Sequence, residues 1–261
     1  MADERIPEAA AEGFDRGAAA YEAARPGYPD DAVAEIVRVC ALGPGRRVLD
    51  LAAGTGKLTR LLVPTGAEVV AVEPVAGMRR VLAEVVPGVE VLDGTAEAIP
   101  LPDGSVDAVT VAQAFHWFAP APALAEVARV LRPGGTLAMV WNTRDRTVDW
   151  VRRWSDLLVD GDGDRPFDRY VGVDYAAVVA ADGAGAFDPV ERWDTSWVQP
   201  CGPEQLVERA ASVSVVAALP PPERDAVLGR VRHLAATHPD LAGRESFGFP
   251  YDTRVWWCHR R

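Results

Sequence analysis

The sequence predicts an α/β fold built on a doubly wound, mainly parallel sheet, and three observations predict it. Between residues 48 and 141, short apolar runs alternate with stretches of helical periodicity. The runs, such as VLDL, VVAV and VDAVTV, are nearly continuous rather than alternating, as expected of strands covered on both faces. Gly54 and Gly56 follow directly on the first run and open a helix, the position at which open α/β sheets bring backbone close to a ligand.

The elements follow in order. Val33, Ile36, Val37 and Cys40 form one helical stripe, started by Pro29-Asp30-Asp31 and stopped by Gly43-Pro44-Gly45, so a helix precedes the first strand. The alternation then reads strand 48–51, helix 57–62, strand 69–72, helix 76–86 and strand 89–92. It continues with strand 106–111, helix 121–131 and strand 136–141. Beyond Trp141, the spacing of Val148, Val151, Trp154, Leu157 and Leu158 predicts a helix, broken by Gly161-Asp162-Gly163-Asp164. Residues 167–185 read as weakly patterned helix, 190–198 as a strand, and 203–217 and 221–236 as helices parted by Pro220-Pro221-Pro222. Residues 247–258 read as a closing strand. No linker marks a second domain, so residues 1–261 are read as one domain. Within it, 1–45 form N-terminal helices or a lid, 46–145 the ligand-binding core, and 146–261 the substrate-side helices and last strands.

Composition excludes several classes of function. The chain has 261 residues and a formal charge of −11, with its Lys and Arg dispersed, which argues against large nucleic acids and anionic membranes as partners. A carrier protein docking through a local patch stays compatible with that charge. Cys40, Cys201 and Cys258 are odd in number and lack any C-x-x-C or His spacing, so neither a disulfide framework nor a metal site is expected. The N-terminal stretch has no basic and apolar leader pattern, and no apolar run could cross a bilayer; a cytoplasmic location is expected.

The chemistry concentrates around VLDLAAGTGKL, residues 48–58. A dinucleotide fingerprint needs G-x-G-x-x-G, but Ala52 holds the first position and Thr59 the third. Asp50 places a carboxylate at the strand end, where a pyrophosphate is repelled and a cation favoured. Glu73 ends the next strand about 20 residues beyond the glycine turn, the spacing at which a carboxylate can accept from both hydroxyls of a ribose. Together they imply a positively charged nucleoside without phosphates.

At this point the sequence resembles the class I S-adenosylmethionine-dependent methyltransferases, specifically the methyltransferase type 11 group of small-molecule enzymes. The resemblance runs through VLDLAAGTG, VVAVEP, DGTAEAIPLPDGSVDAV, AFHWF and LRPGG in that order, and more weakly through YEAARPGYP at 21–29 and the C-terminal part. It implies a Rossmann-like, seven-stranded sheet with an antiparallel C-terminal strand and extra helices capping the site. It implies S-adenosylmethionine as cofactor, with Gly54 and Gly56 meeting it through backbone and Ala52 standing where the family commonly has glycine. Glu73 would take the ribose, Pro74 and Met78 flank the adenine, and Thr95 or the backbone around Ala96 meet its amino group. Gln113 would lie near the methionyl chain, and Tyr21 and Arg25 would close over the cofactor, Arg25 pairing with its carboxylate. The implied reaction is methyl transfer to an O, N, S or C atom of a small molecule, in specialised metabolism. An alternative within the same fold is intramolecular cyclisation of the cofactor with release of methylthioadenosine, or a pericyclic step.

Some residues carry two readings. Glu97 either contacts the cofactor or orders its own turn. His116, in AFHWF after the fourth strand, either removes a proton from the acceptor or shapes the pocket with Trp117 and Phe118. Asn142 and Tyr251 are candidates for the acceptor pocket, against a background of many second-half aromatics that must partly be core. His233, His238 and His259 read as solvent-facing or capping residues.

Overall fold

Strand propensity and two-sided burial produce one seven-stranded sheet in the order β3-β2-β1-β4-β5-β7-β6 in the computed structural model, which describes residues 25–158 and 173–261 together with Ala18 and Glu22. The strands are β1 (Arg47–Leu51), β2 (Glu68–Val72), β3 (Glu90–Leu92), β4 (Val106–Ala112), β5 (Leu131–Arg144), β6 (Glu191–Cys201) and β7 (Phe247–His259). The first five pair in parallel, and β7 runs antiparallel between β5 and β6. The strand order reverses between β1 and β4, so the crevice for a ligand lies beyond their carboxyl ends.

Helices α1 (Asp30–Val39), α2 (Thr59–Leu62), α3 (Ala76–Val85) and α4 (Pro120–Val130) cover the sheet. Asp30 and Asp31 sit in the first turn of α1, where their charge complements the helix dipole. On one face Ile36, Val48, Leu62, Val140 and Val255 pack together, and on the other Leu49, Leu51, Val109, Leu124 and Met139. A further core gathers Trp150, Trp154, Leu206, Val231 and Phe249 from α5 (Asp149–Asp156), α7 (Pro203–Ala211), α9 (Pro221–Thr237) and the start of β7. Because β7 is antiparallel to β5, its first residues lie at the carboxyl end of the parallel strands, and this third core caps that end.

The structure departs from the sequence reading at a few points. Strand five continues past residue 141 because Asn142, Thr143 and Arg144 pair with Thr253, Asp252 and Tyr251. The helix expected over 203–217 is two, α7 and α8 (Ser214–Ala217). The Ser212 hydroxyl donates to the Arg209 carbonyl at 2.8 Å, and the Ser212 carbonyl accepts from Arg25 Nη2 at 3.0 Å, so the groups that would extend the helix are engaged elsewhere. Within 167–185 a helix is formed over Tyr175–Asp182 (α6), capped by the Asp174 carboxylate accepting from the Ala176 and Ala177 N–H groups. Residues 167–172, with the 161–164 break, lie outside the described residues. All three cysteines are buried and free, and no helix among the described residues is long and apolar enough to cross a membrane.

Candidate active site

The turn after β1 is left-handed at three alternate residues: Ala52 at φ 54°, Gly54 at 58° and Gly56 at 84°. A Cβ on Gly56 would stand 3.0 Å from both Leu82 Cγ and Val86 Cγ2, so glycine there lets α3 pack against the turn. A Cβ on Gly54 would meet only Met78 Sδ at 3.8 Å, which leaves one side of the turn open to a ligand. Ala52 adopts a left-handed conformation that costs roughly 1–2 kcal/mol for an L-residue, a strain typical of functional turns. The Ala53 N–H donates to Val72 O at 3.1 Å and ties the turn to β2.

The two acidic residues are placed differently. Asp50 is fully buried, its carboxylate accepting from the Thr59 hydroxyl at 2.6 Å and the Thr110 hydroxyl at 3.0 Å. Its carboxylate braces β1, β4 and the start of α2. Glu73 lies at the turn itself, one oxygen accepting from Gly54 N at 2.9 Å and the other from Val75 N at 2.8 Å. Burial raises its pKa, against the pull of those two N–H groups. The turn after β2 is locked by Arg79, which sequence reading missed. Its guanidinium donates to the Glu73 and Pro74 carbonyls at 2.7 Å each and to the Asp93 carboxylate at 2.9 Å.

Burial pushes Asp50 up to about 6, opposed by the two threonine hydroxyls. An unfolded aspartate titrates near ~4, so between these values the native chain holds a proton that the unfolded chain has released. The group's contribution to stability is therefore full below that window and lost as pH rises through the native value. We expect Asp50→Asn, neutral throughout, to gain stability relative to the parent as pH rises from about 4.5 to 7.5. Urea denaturation at both pH values checks this, and a difference independent of pH would contradict it.

Beyond β2, Met78 is buried and packs with Val75 and Ala18 beside Pro74. Thr95 bridges Ala98, and Ala96 is buried in the main core. Glu97 accepts from Ala119 N at 2.9 Å, where it caps α4. Its turn-ordering reading therefore has a concrete partner.

At the end of β4, Gln113 is left-handed at φ 57° and donates through Nε2 to Asn142 O at 3.2 Å. The Asn142 side chain donates to Gly27 O at 2.8 Å and accepts from the Thr253 hydroxyl at 2.5 Å, pinning the N-terminal segment to β5 and β7. His116 sits in a short turn, Phe115–Trp117, with its ring 4.6 Å from that of Trp117 and 5.1 Å from that of Trp141. Burial first, and Arg25 second, push its pKa down to about 3. The imidazole is neutral across the physiological range and a weak base, which works against the proton-accepting reading. Tyr175 completes this aromatic wall, its ring 5.5 Å from that of Trp141.

The N-terminal segment approaches the same place. Glu22 accepts from the Thr55 hydroxyl at 2.5 Å and pairs with Arg60 at 2.6 Å and Lys57 at 3.5 Å, around the glycine turn. Tyr21 lies outside the described residues. Tyr251, 3% exposed, receives a 2.8 Å hydrogen bond from Arg209 Nη1 and stacks on Trp197 and Phe249. Glu22 was not legible from any local motif, since it belongs to a segment remote in sequence from the turn it meets.

Known proteins point the same way. A profile described as a methyltransferase domain matches residues 49–139. An uncharacterized methyltransferase of Mycobacterium tuberculosis is 45% identical over 240 residues, covering 92% of each chain. The solved YcgJ protein of Bacillus subtilis shares the fold at a TM-score of 0.56 and 20% identity, over 89% of this chain and 99% of that one. A phosphoethanolamine N-methyltransferase of Haemonchus contortus, solved with S-adenosylhomocysteine, superposes with a TM-score of 0.56 at 15% identity, over 94% of this chain and 57% of that one.

Proposed function

The chain belongs to the class I S-adenosylmethionine-dependent methyltransferases, and from that premise we propose that it methylates a small molecule held between the glycine turn and the wall that includes His116 and Trp117, with Asn142 and Tyr251 as further pocket residues. The observation that carries the reading is the juxtaposition of an open left-handed turn at Gly54 with the Glu73 carboxylate bonded to it. In this reading residues 1–261 act as a single domain, supported by the one sheet that joins its strands from Arg47 to His259.

The donor set suits S-adenosylmethionine. Each Glu73 oxygen keeps a lone pair for a ribose hydroxyl, and the open side of Gly54 admits close approach of the cofactor. Gly54 and Gly56 would offer backbone, Pro74 and Met78 the adenine walls, and Thr95 and Ala96 the polar edge. Gln113 would hold the methionyl chain, with Tyr21 and Arg25 at its carboxylate. Asp50 braces the turn, and Glu97 caps α4, so both act through their neighbours. When bound, the cofactor supplies a methyl group already activated on a sulfonium. The protein's task is then to orient the acceptor and exclude water, and proximity does most of the work.

His116 serves in this reading as wall rather than base. We expect kcat/KM to show no inflection near pH 6.5 attributable to it, and His116→Gln to lower kcat by less than roughly 10-fold. A loss above roughly 100-fold together with disappearance of an acidic limb would restore the base assignment. The reaction itself is tested by incubating the protein with labelled cofactor and a metabolite extract. Acceptor-dependent S-adenosylhomocysteine supports methyl transfer; methylthioadenosine in its place would transfer the assignment to cofactor cyclisation.

A further inference from the structure

The loops that follow β2 and β3 are tied together by one side chain, Arg79, in the first turns of α3. Its Nη1 donates to the Glu73 and Pro74 carbonyls at 2.7 Å each, and Nη1 and Nη2 reach one Asp93 carboxylate oxygen apiece, both at 2.9 Å. Glu73 and Pro74 follow directly on β2, and Asp93 directly on β3. The same helix sets Met78 beside Gly54 and Leu82 against Gly56.

Both loops are stiff in themselves. The Pro74 ring fixes its own φ, and the Glu73 N–H donates to Leu92 O at 3.1 Å. Beyond Asp93, a Cβ on Gly94 would stand 2.6 Å from Pro100 Cδ, and Thr95 bridges Ala98. Arg79 therefore joins two rigid pieces, and what it sets is their separation.

Helix stability does not explain an arginine here. The N-terminus of a helix is the positive end of its dipole and favours Asp or Glu, yet α3 has no acidic residue in its first turn. The ion pair explains little either, because the Asp93 side chain is 71% exposed and such pairs contribute weakly. What remains is the grip on the two carbonyls beneath Glu73, together with charge. Burial raises the pKa of Glu73 and the Asp50 carboxylate adds to the rise, whereas the Val75 and Gly54 N–H groups and the Arg79 guanidinium oppose it.

We propose that Arg79 is the positioning residue for the nucleoside half of the cofactor, holding the Glu73 carboxylate and the loop at Thr95 and Ala96 at the span of one adenosine. Its cation also favours the ionised carboxylate that accepts from the ribose. The proposal rests on the reading of Glu73 as the ribose acceptor and gives a role to a residue outside that contact.

The test titrates the full chain calorimetrically with S-adenosylhomocysteine and with methylthioadenosine, which keeps the adenosine but lacks the amino acid, from about pH 5 to 8. Arg79→Gln is expected to weaken both ligands by the same factor, about 10- to 30-fold. It should also move the acid-side loss of affinity to higher pH, because without the guanidinium Glu73 takes up its proton sooner as pH falls. Arg79→Lys, which restores the charge but not the planar fork, should return the pH profile of the parent and only part of the affinity. Asp93→Asn, which keeps an acceptor for the guanidinium, should cost less than about threefold. Affinities for Arg79→Gln within about threefold of the parent, a loss on S-adenosylhomocysteine without one on methylthioadenosine, or an unmoved pH profile would each overturn the proposal. Where Arg79→Gln does not fold, Arg79→Lys decides: an equal loss on both ligands supports the clamp, and no loss overturns it. Unchanged binding of both ligands by Glu73→Ala would instead remove the ribose reading on which the proposal rests.

Discussion

Replacing Glu73 with alanine is expected to weaken S-adenosylmethionine binding by roughly 100-fold. Two carboxylate oxygens already accept from Gly54 N and Val75 N, at 2.9 and 2.8 Å, so the side chain is held still before any ligand arrives. The remaining lone pairs would receive two ribose hydroxyls, and charge-assisted bonds of this kind contribute about 1.5 kcal/mol or more each. Their joint loss, about 3 kcal/mol, corresponds to the stated factor. The substitution also leaves two turn N–H groups without their acceptor, which loosens the left-handed segment at Gly54. Glu73→Gln keeps one acceptor oxygen and is expected to lose less. Calorimetric titration of both variants with S-adenosylmethionine and with S-adenosylhomocysteine is the measurement. A Kd for Glu73→Ala within threefold of the parent would remove Glu73 from the site.

Trp154→Ala should produce the largest fall in stability. The side chain is fully buried on α5, edge-on to Phe249 at 5.4 Å, with its indole N–H donating to Leu206 O at 3.3 Å. It is the shared surface on which the α5, α7 and β7 contributions to the cap meet, and it also carries the Arg144 guanidinium. Truncation of a buried Trp to Ala costs about 3–5 kcal/mol through lost burial and the cavity left behind. At roughly 2–4 °C per kcal/mol for a chain of this size, the midpoint of thermal unfolding should drop by about 10 °C. Trp154→Phe, which refills much of the volume, should recover more than half of the loss. A drop under about 2 °C would mean that the cap does not share in the cooperative unfolding of the sheet.

Elements whose signal is local were legible in the sequence. The parallel strands reveal themselves because each must be apolar on both faces, and the glycine turn because Gly54 and Gly56 take backbone angles that side chains resist. The strand limits were less legible, since Asn142, Thr143 and Arg144 are polar and join β5 only through their partners on β7. The expected helix over 203–217 failed for a related reason. What interrupts it is Arg25, from the far end of the chain, taking the Ser212 carbonyl.

The sequence by itself determined the sheet, the turn and the two acidic positions, because periodicity, glycine and charge at strand ends are properties of neighbouring residues. Only the tertiary structure told the two carboxylates apart. Asp50 and Glu73 look alike in the chain, but the Thr59 and Thr110 hydroxyls enclose the first, whereas the second lies against the open turn. Only the tertiary structure brought Arg144 and Arg209 to Tyr251, with Arg25 close by. A chain whose basic residues are dispersed in sequence and whose net charge is −11 gathers them at one point because an antiparallel strand and a capping helix end there. Burial and long-range contact set the electrostatics of this site, and neither is a property of a segment read alone.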